Sequence, residues 1–158
     1  MPSFSLRRLL SLPHAAGLFA LFASASVLAE GTTTLVIGGE RVTLEIASST
    51  IEQRTGLMNR DHLDENHGML FVFNEPRSVA MWMKNTRIDL DAAFIDACGR
   101  IINIETMRKG TLDLHRSQGP TLSVIEMNEG WFAAHGVRSG QRIKALLSPE
   151  FCKAPIAH

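Results

Sequence analysis

Residues 68–96 hold three apolar runs of strand length separated by polar turns: Gly68-Met69-Leu70-Phe71-Val72-Phe73, then Met81-Trp82-Met83-Lys84-Asn85-Thr86, then Leu90-Asp91-Ala92-Ala93-Phe94-Ile95-Asp96. Short apolar runs bounded by turn residues read as strands. The second run closes on Lys84-Asn85-Thr86, a polar cluster that a plain core strand would not need. This segment predicts a β-rich domain that carries one polar site.

The flanking sequence extends the pattern. Gly38-Gly39 stands between residues 34–37 and 42–46, where Val42, Leu44 and Ile46 alternate with Thr43 and Glu45, a hairpin signal. Ser49-Thr50-Ile51-Glu52 is a capping box, so a short helix is expected over residues 50–58 with Ile51, Thr55 and Met58 on its apolar face. Further strands are expected at 69–73, 79–84 and 90–96, with Ala97-Cys98-Gly99 turning the chain into 100–105. A strand at 121–127 leads through Asn128, read as an N-cap, into a helical turn ending at Gly136, and the last strand is 141–147. Residues 108–120 and the tail after Leu147 read as linkers. About eight short strands and two short helices predict the α+β class, as a small, mostly antiparallel, closed or nearly closed β-barrel.

The motifs have a family resemblance. Arg54-Thr-Gly-Leu-Met-Asn-Arg60, Gly68-Met-Leu-Phe-Val-Phe73, Trp82-Met-Lys-Asn-Thr86, Glu126-Met-Asn-Glu-Gly130 and Gly136-Val-Arg-Ser-Gly140 follow in this order. Together they resemble the bacterial and archaeal family called domain of unknown function 192, over roughly residues 33–147. The resemblance implies no activity, so function has to be argued from residues.

The amino end predicts export. Arg7 and Arg8 precede an apolar stretch over residues 9–27, and Val27-Leu28-Ala29 offers a cleavage box before Glu30, so residues 1–29 read as a signal peptide and 30–158 as a single mature domain. The alternative of a membrane anchor is disfavoured by Pro13, His14 and the Ser and Ala cluster. Leu6 stands where a twin-arginine signal wants Ser or Thr, which favours the general secretory route. The expected compartment is periplasmic or extracellular. Without Arg7 and Arg8 the 16 basic residues fall to 14 against 16 acidic ones, a charge of −2. No basic cluster suited to nucleic acid is present, and no stable membrane span is expected after cleavage.

Strand facing singles out polar residues at apolar positions. Glu126 shares a face with Leu122 and Val124, Lys84 with Ala80 and Trp82, and Asp91 with Ala93 and Ile95. Buried unpaired charge costs several kcal/mol, so these groups are expected to pair with one another or with Arg54 and Arg60. One reading is an ion network closing the barrel. The other is a polar ligand pocket drawing on Arg54, Arg60, Trp82, Lys84, Asn85, Asp91 and Glu126.

Catalytic templates fit poorly. No Gly-x-Ser-x-Gly elbow occurs, and Glu126 with Asp91 as general acid and base is a weak signal among 16 acidic residues. Cys98 and Cys152 are the two cysteines, and in an oxidising compartment a bridge between them is favoured over free thiols. Met81 and Met83 with His62 and His67 would suit copper, but core packing explains the methionines better, and no metal or cofactor is expected. The sequence therefore points to an exported small-ligand or partner-binding module rather than an enzyme. A hydrolase or lyase using Glu126, Asp91 and Lys84 is the rival reading, and a structural protein interacting with the envelope is the third.

Overall fold

Nine strands and two short helices follow in chain order within residues 31–152, the part that the computed structural model describes. The expected leader, its cleavage point and the tail beyond Cys152 lie outside the described residues. The elements are β1 (Thr32–Ile37), β2 (Glu40–Ala47), α1 (Thr50–Thr55), β3 (His67–Arg77), β4 (Ala80–Met81), β5 (Leu90–Ile95), β6 (Cys98–Met107), β7 (His115–Arg116), β8 (Thr121–Asn128), α2 (Trp131–Ala134) and β9 (Arg142–Leu147). Seven strands form one sheet in the order β1-β2-β3-β8-β5-β6-β9, and β4 pairs with β7 in a separate ribbon. The sheet curls until β1 and β9 approach each other, giving a nearly closed barrel. Its pairings are antiparallel except β2 with β3, which run parallel because α1 lies in the crossover between them.

Two apolar clusters explain why the central strands read as unbroken hydrophobic runs. The first draws on all seven strands of the sheet, with Ile37, Leu44, Leu70, Ile125, Ile95, Ile101 and Ile143 among its members, and fills the barrel beneath Trp131 and Phe132 of α2. The second covers the outer face of β3, β8 and β5, where Phe71, Phe73, Val124, Ala92 and Phe94 pack against Leu57, Leu63 and Met83 from the connections. Every residue of β5 is buried, as expected for a strand covered on both faces.

The capping box at Ser49 and Glu52 is present, with the Ser49 side chain accepting from the Glu52 amide. α1 nevertheless stops at Thr55 instead of reaching residue 58, because Gly56 takes φ 48° and ψ −136°, a conformation closed to residues with a Cβ. Ile51 is 78% exposed, so the expected apolar face does not pack. Gln53 attaches the helix instead, its amide donating to the Val72 carbonyl at 2.7 Å. The strand expected over 79–84 shrinks to β4, since the chain turns at Met83, whose carbonyl accepts from the Thr86 amide. The supposed linker after Arg108 contributes β7, the partner of β4. Asn128 ends β8 rather than capping α2, and its side chain donates to the Leu63 and Asp64 carbonyls.

Candidate functional site

The outer core is not completely filled. Between α1, the outer face of β3 and β8, and the segment from Arg77 to Thr86 lies a cavity of about 350 Å³, at the small end of the range for ligand sites. Phe71 and Phe73 of β3 form one wall, Leu57 and Met58 another, and Met81, Trp82 and Thr86 a third. Gly68 makes this arrangement possible. A Cβ there would run into the Glu126 carbonyl and the Met127 sulfur, so only glycine lets β8 lie this close to β3 with Glu126 on the outer face.

Glu126 is the chemically distinctive wall residue. It is 4% exposed, lines the cavity, and has no hydrogen-bond or ion-pair partner among the described residues. Burial raises its pKa from 4.5 to about 8, because the charged form would give up its hydration with nothing in return. The group is therefore a neutral carboxyl at pH 7, able both to donate and to accept a hydrogen bond.

Two cations stand at the exposed edge of the same cavity. Arg54 comes from the last turn of α1, and Arg77 follows an irregularity in which residues 73–76 of β3 oppose Leu122 alone. The Arg77 guanidinium lies 4.4 Å above the centroid of the Phe73 ring. Neither arginine forms an ion pair among the described residues. Trp82, 44% exposed, completes this edge, and the Lys84 ammonium lies 5.3 Å from its ring centroid.

Residues 33–145 match the family model for domain of unknown function 192 (DUF192), described as an uncharacterized ACR. The chain belongs to the DUF192 family. Two crystal structures resemble this DUF192 chain. One is a Sinorhizobium meliloti 1021 protein described as a candidate transcription regulator, 36% identical, with 70% of this chain and 88% of that one covered and a TM-score of 0.65. The other, from Novosphingobium aromaticivorans DSM 12444, is a protein of unknown function, 34% identical, covering 70% of this chain and 81% of that one with a TM-score of 0.63. No curated protein matches.

The three upstream DUF192 motifs converge on the cavity: Arg54 to Met58 from the first, Phe71 and Phe73 from the second, Trp82 and Thr86 from the third. Glu126 joins them from the fourth. Of the seven candidate ligand residues, Arg54, Trp82 and Glu126 are among those that line it, and the others are placed differently. Arg60 forms a bidentate pair with Glu45 of β2. Lys84 stands outside the lining, against the indole. Asn85 occupies a left-handed turn position at φ 57°, and its carbonyl accepts from the Asn59 amide.

Asp91 lies on the opposite face of the sheet from Glu126. In the β5–β8 register Ala92 pairs with Glu126 and Asp91 with Met127, and side chains alternate along each strand. Asp91 accepts from the Thr106 hydroxyl at 2.7 Å and from the Gly130 amide at 2.8 Å, which ties the turn before α2 to β5. The two carboxyls therefore do not form an acid and base pair. Among the described residues the expected ion network is likewise not formed, because Glu126 is a neutral carboxyl without a partner there and Asp91 accepts from neutral donors. Arg77 is the lining cation that the sequence does not mark, whereas Thr86 belongs to the Lys84-Asn85-Thr86 cluster that it does. Residues 74–78 fall in the polar stretch between the first two apolar runs, and it is the irregular β3–β8 pairing that brings Arg77 to the cavity.

Cys98 and Cys152 are joined, with their Cα atoms 4.7 Å apart. Among the described residues no group of three or more His, Cys, Asp or Glu is placed to hold a metal ion.

Proposed function

We propose that this DUF192 protein is an exported binding module that holds a small molecule in the cavity beneath α1. The observation that carries the reading is Glu126: a nearly fully buried carboxyl with no partner among the described residues, facing a cavity, leaves a hydrogen-bonding group for something that enters. Convergence of separate sequence motifs on the same walls supports it. The Cys98–Cys152 bridge suits an oxidising compartment, and no helix among the described residues is long and apolar enough to cross a membrane. The regulator description belongs to the Sinorhizobium protein. A mature charge of −2 without a basic cluster gives no support to DNA contact here.

The test is a metabolite library screened by thermal shift, with calorimetry on the compounds that raise the melting temperature. Ligands should bind the wild type and lose affinity in Glu126→Leu, while Trp82→Phe should abolish the ligand-induced fluorescence change and keep the protein folded. A library without a single stabilising compound, or ligands indifferent to Glu126→Leu, refutes the cavity as the site. Export is checked by mass spectrometry of the secreted chain, which should begin at Glu30.

A further inference from the structure

We infer that the ligand is a small organic acid: its carboxylate sits on Arg54 and Arg77 at the mouth, its apolar body lies along Phe71, Phe73 and Trp82, and a hydroxyl or carbonyl group meets Glu126 at the floor. This inference rests on the binding reading above and names the class of molecule that the cavity takes. The charged residues that line the cavity are Arg54, Arg77 and Glu126. With the glutamate protonated, the lining carries two positive charges and no negative one. An ammonium-bearing ligand would face two guanidiniums, and an uncharged one would leave both of them unused.

The arginines suit a carboxylate for geometric reasons. A guanidinium presents paired N–H donors in one plane, which match the two oxygens of a carboxylate. Arg77 is steadied by its position over the Phe73 ring, and its backbone pairs with Thr121 of β8, so the guanidinium is held at the cavity edge. Glu75 belongs to the adjoining hollow, which shares Phe73 and Arg77 with the cavity, and it forms no ion pair with Arg77. Depth separates the two polar ends. The arginines are exposed and Glu126 is buried, so a molecule spanning them places its ionised group at the exposed mouth and a neutral hydrogen-bonding group against the buried floor. The wall between them sets Phe71, Phe73 and Trp82 beside the polar Gln53 and Thr86.

Calorimetry with matched compounds tests the assignment: para-hydroxyphenylacetate, para-hydroxybenzoate and levulinate, each alongside its primary amide, with tyramine as the cationic member. At least one acid should bind, its amide should bind at least about tenfold more weakly, and Arg54→Gln and Arg77→Gln should each weaken the acid by about tenfold while leaving the amide unchanged. Both arginines are exposed, so these variants should fold, and circular dichroism checks that they do. Amides or tyramine binding as tightly as the acids, or acids indifferent to both substitutions, would overturn the acid assignment and leave the cavity reading standing. Binding by none of the acids also overturns the assignment, and the cavity reading then depends on the library screen alone.

Discussion

Glu126 costs this protein stability at neutral pH, and the sign follows from its raised pKa. Below pH 4.5 the folded and unfolded chains both carry the proton, so the group contributes nothing. Between 4.5 and about 8 the unfolded chain ionises while the folded one does not, and the folded state loses ground as pH rises, by roughly several kcal/mol at most. Replacing Glu126 with Gln removes this titration. The gap in melting temperature between Glu126→Gln and wild type should therefore widen from pH 4 to pH 8, and two parallel curves would refute the neutral, buried carboxyl. Asp91 contributes through its hydrogen bonds. It accepts from the Gly130 amide and the Thr106 hydroxyl, so Asp91→Ala should cost about 1–3 kcal/mol in urea unfolding by removing the two hydrogen bonds that hold β5 to β6 and to the turn before α2. Ligand affinity per folded molecule should be unchanged, and a selective loss of binding would instead place Asp91 in the site.

At the scale of elements, local chemistry was legible wherever the chain satisfies itself within a few residues. The Ser49 capping box and the Gly38-Gly39 turn, with φ of 61° and 90°, form as their sequences require. Ser49→Ala should lower stability by about 1 kcal/mol in thermal or urea unfolding, since it leaves the Glu52 amide uncapped. No change would mean that tertiary contacts alone hold α1. Elements whose limits depend on distant partners were misjudged. The apolar spacing of Ile51, Thr55 and Met58 extends α1 to residue 58, whereas Gly56 ends it at Thr55 and Gln53 makes the attachment through Val72. Gly68 is an element-scale residue of the same kind. Gly68→Ala should cost more than about 2 kcal/mol in urea unfolding, because the added methyl meets backbone and sulfur of β8 and the two strands have to part. Wild-type stability in that variant would show that β3 and β8 can separate freely.

For the whole molecule, the bridge between Cys98 and Cys152 ties the chain beyond β9 back to the first residue of β6 across 54 residues. In the chain-entropy account a loop of that length stabilises by roughly 4 kcal/mol. The double variant Cys98→Ala with Cys152→Ala should therefore unfold at lower urea than the oxidised wild type, and reduction of the wild type should reproduce most of the difference. An unchanged midpoint would mean that the unfolded chain is already compact across this loop. The bridge lies away from the cavity lining, so ligand affinity should survive its removal at temperatures where the variant is folded.

The sequence by itself determined the β-rich class, the Gly38-Gly39 turn and the capped start of α1, because each follows from periodicity or from φ preferences, while for the two cysteines it favoured a bridge over free thiols without deciding it. It also marked Glu126 as a carboxyl at an apolar position. What Glu126 does was decided only by the tertiary structure. Burial on both faces of β3, β8 and β5 set Asp91 on one side of the sheet and Glu126 on the other, which strand alternation within a single segment could not relate. Arg77 reached the cavity through an irregular ladder, and Arg60 was drawn away to Glu45 on a strand fifteen residues earlier. Pairing of charges is a matter of distances across the fold. A carboxyl becomes a neutral hydrogen-bonding group only when packing removes its water and brings no cation in its place.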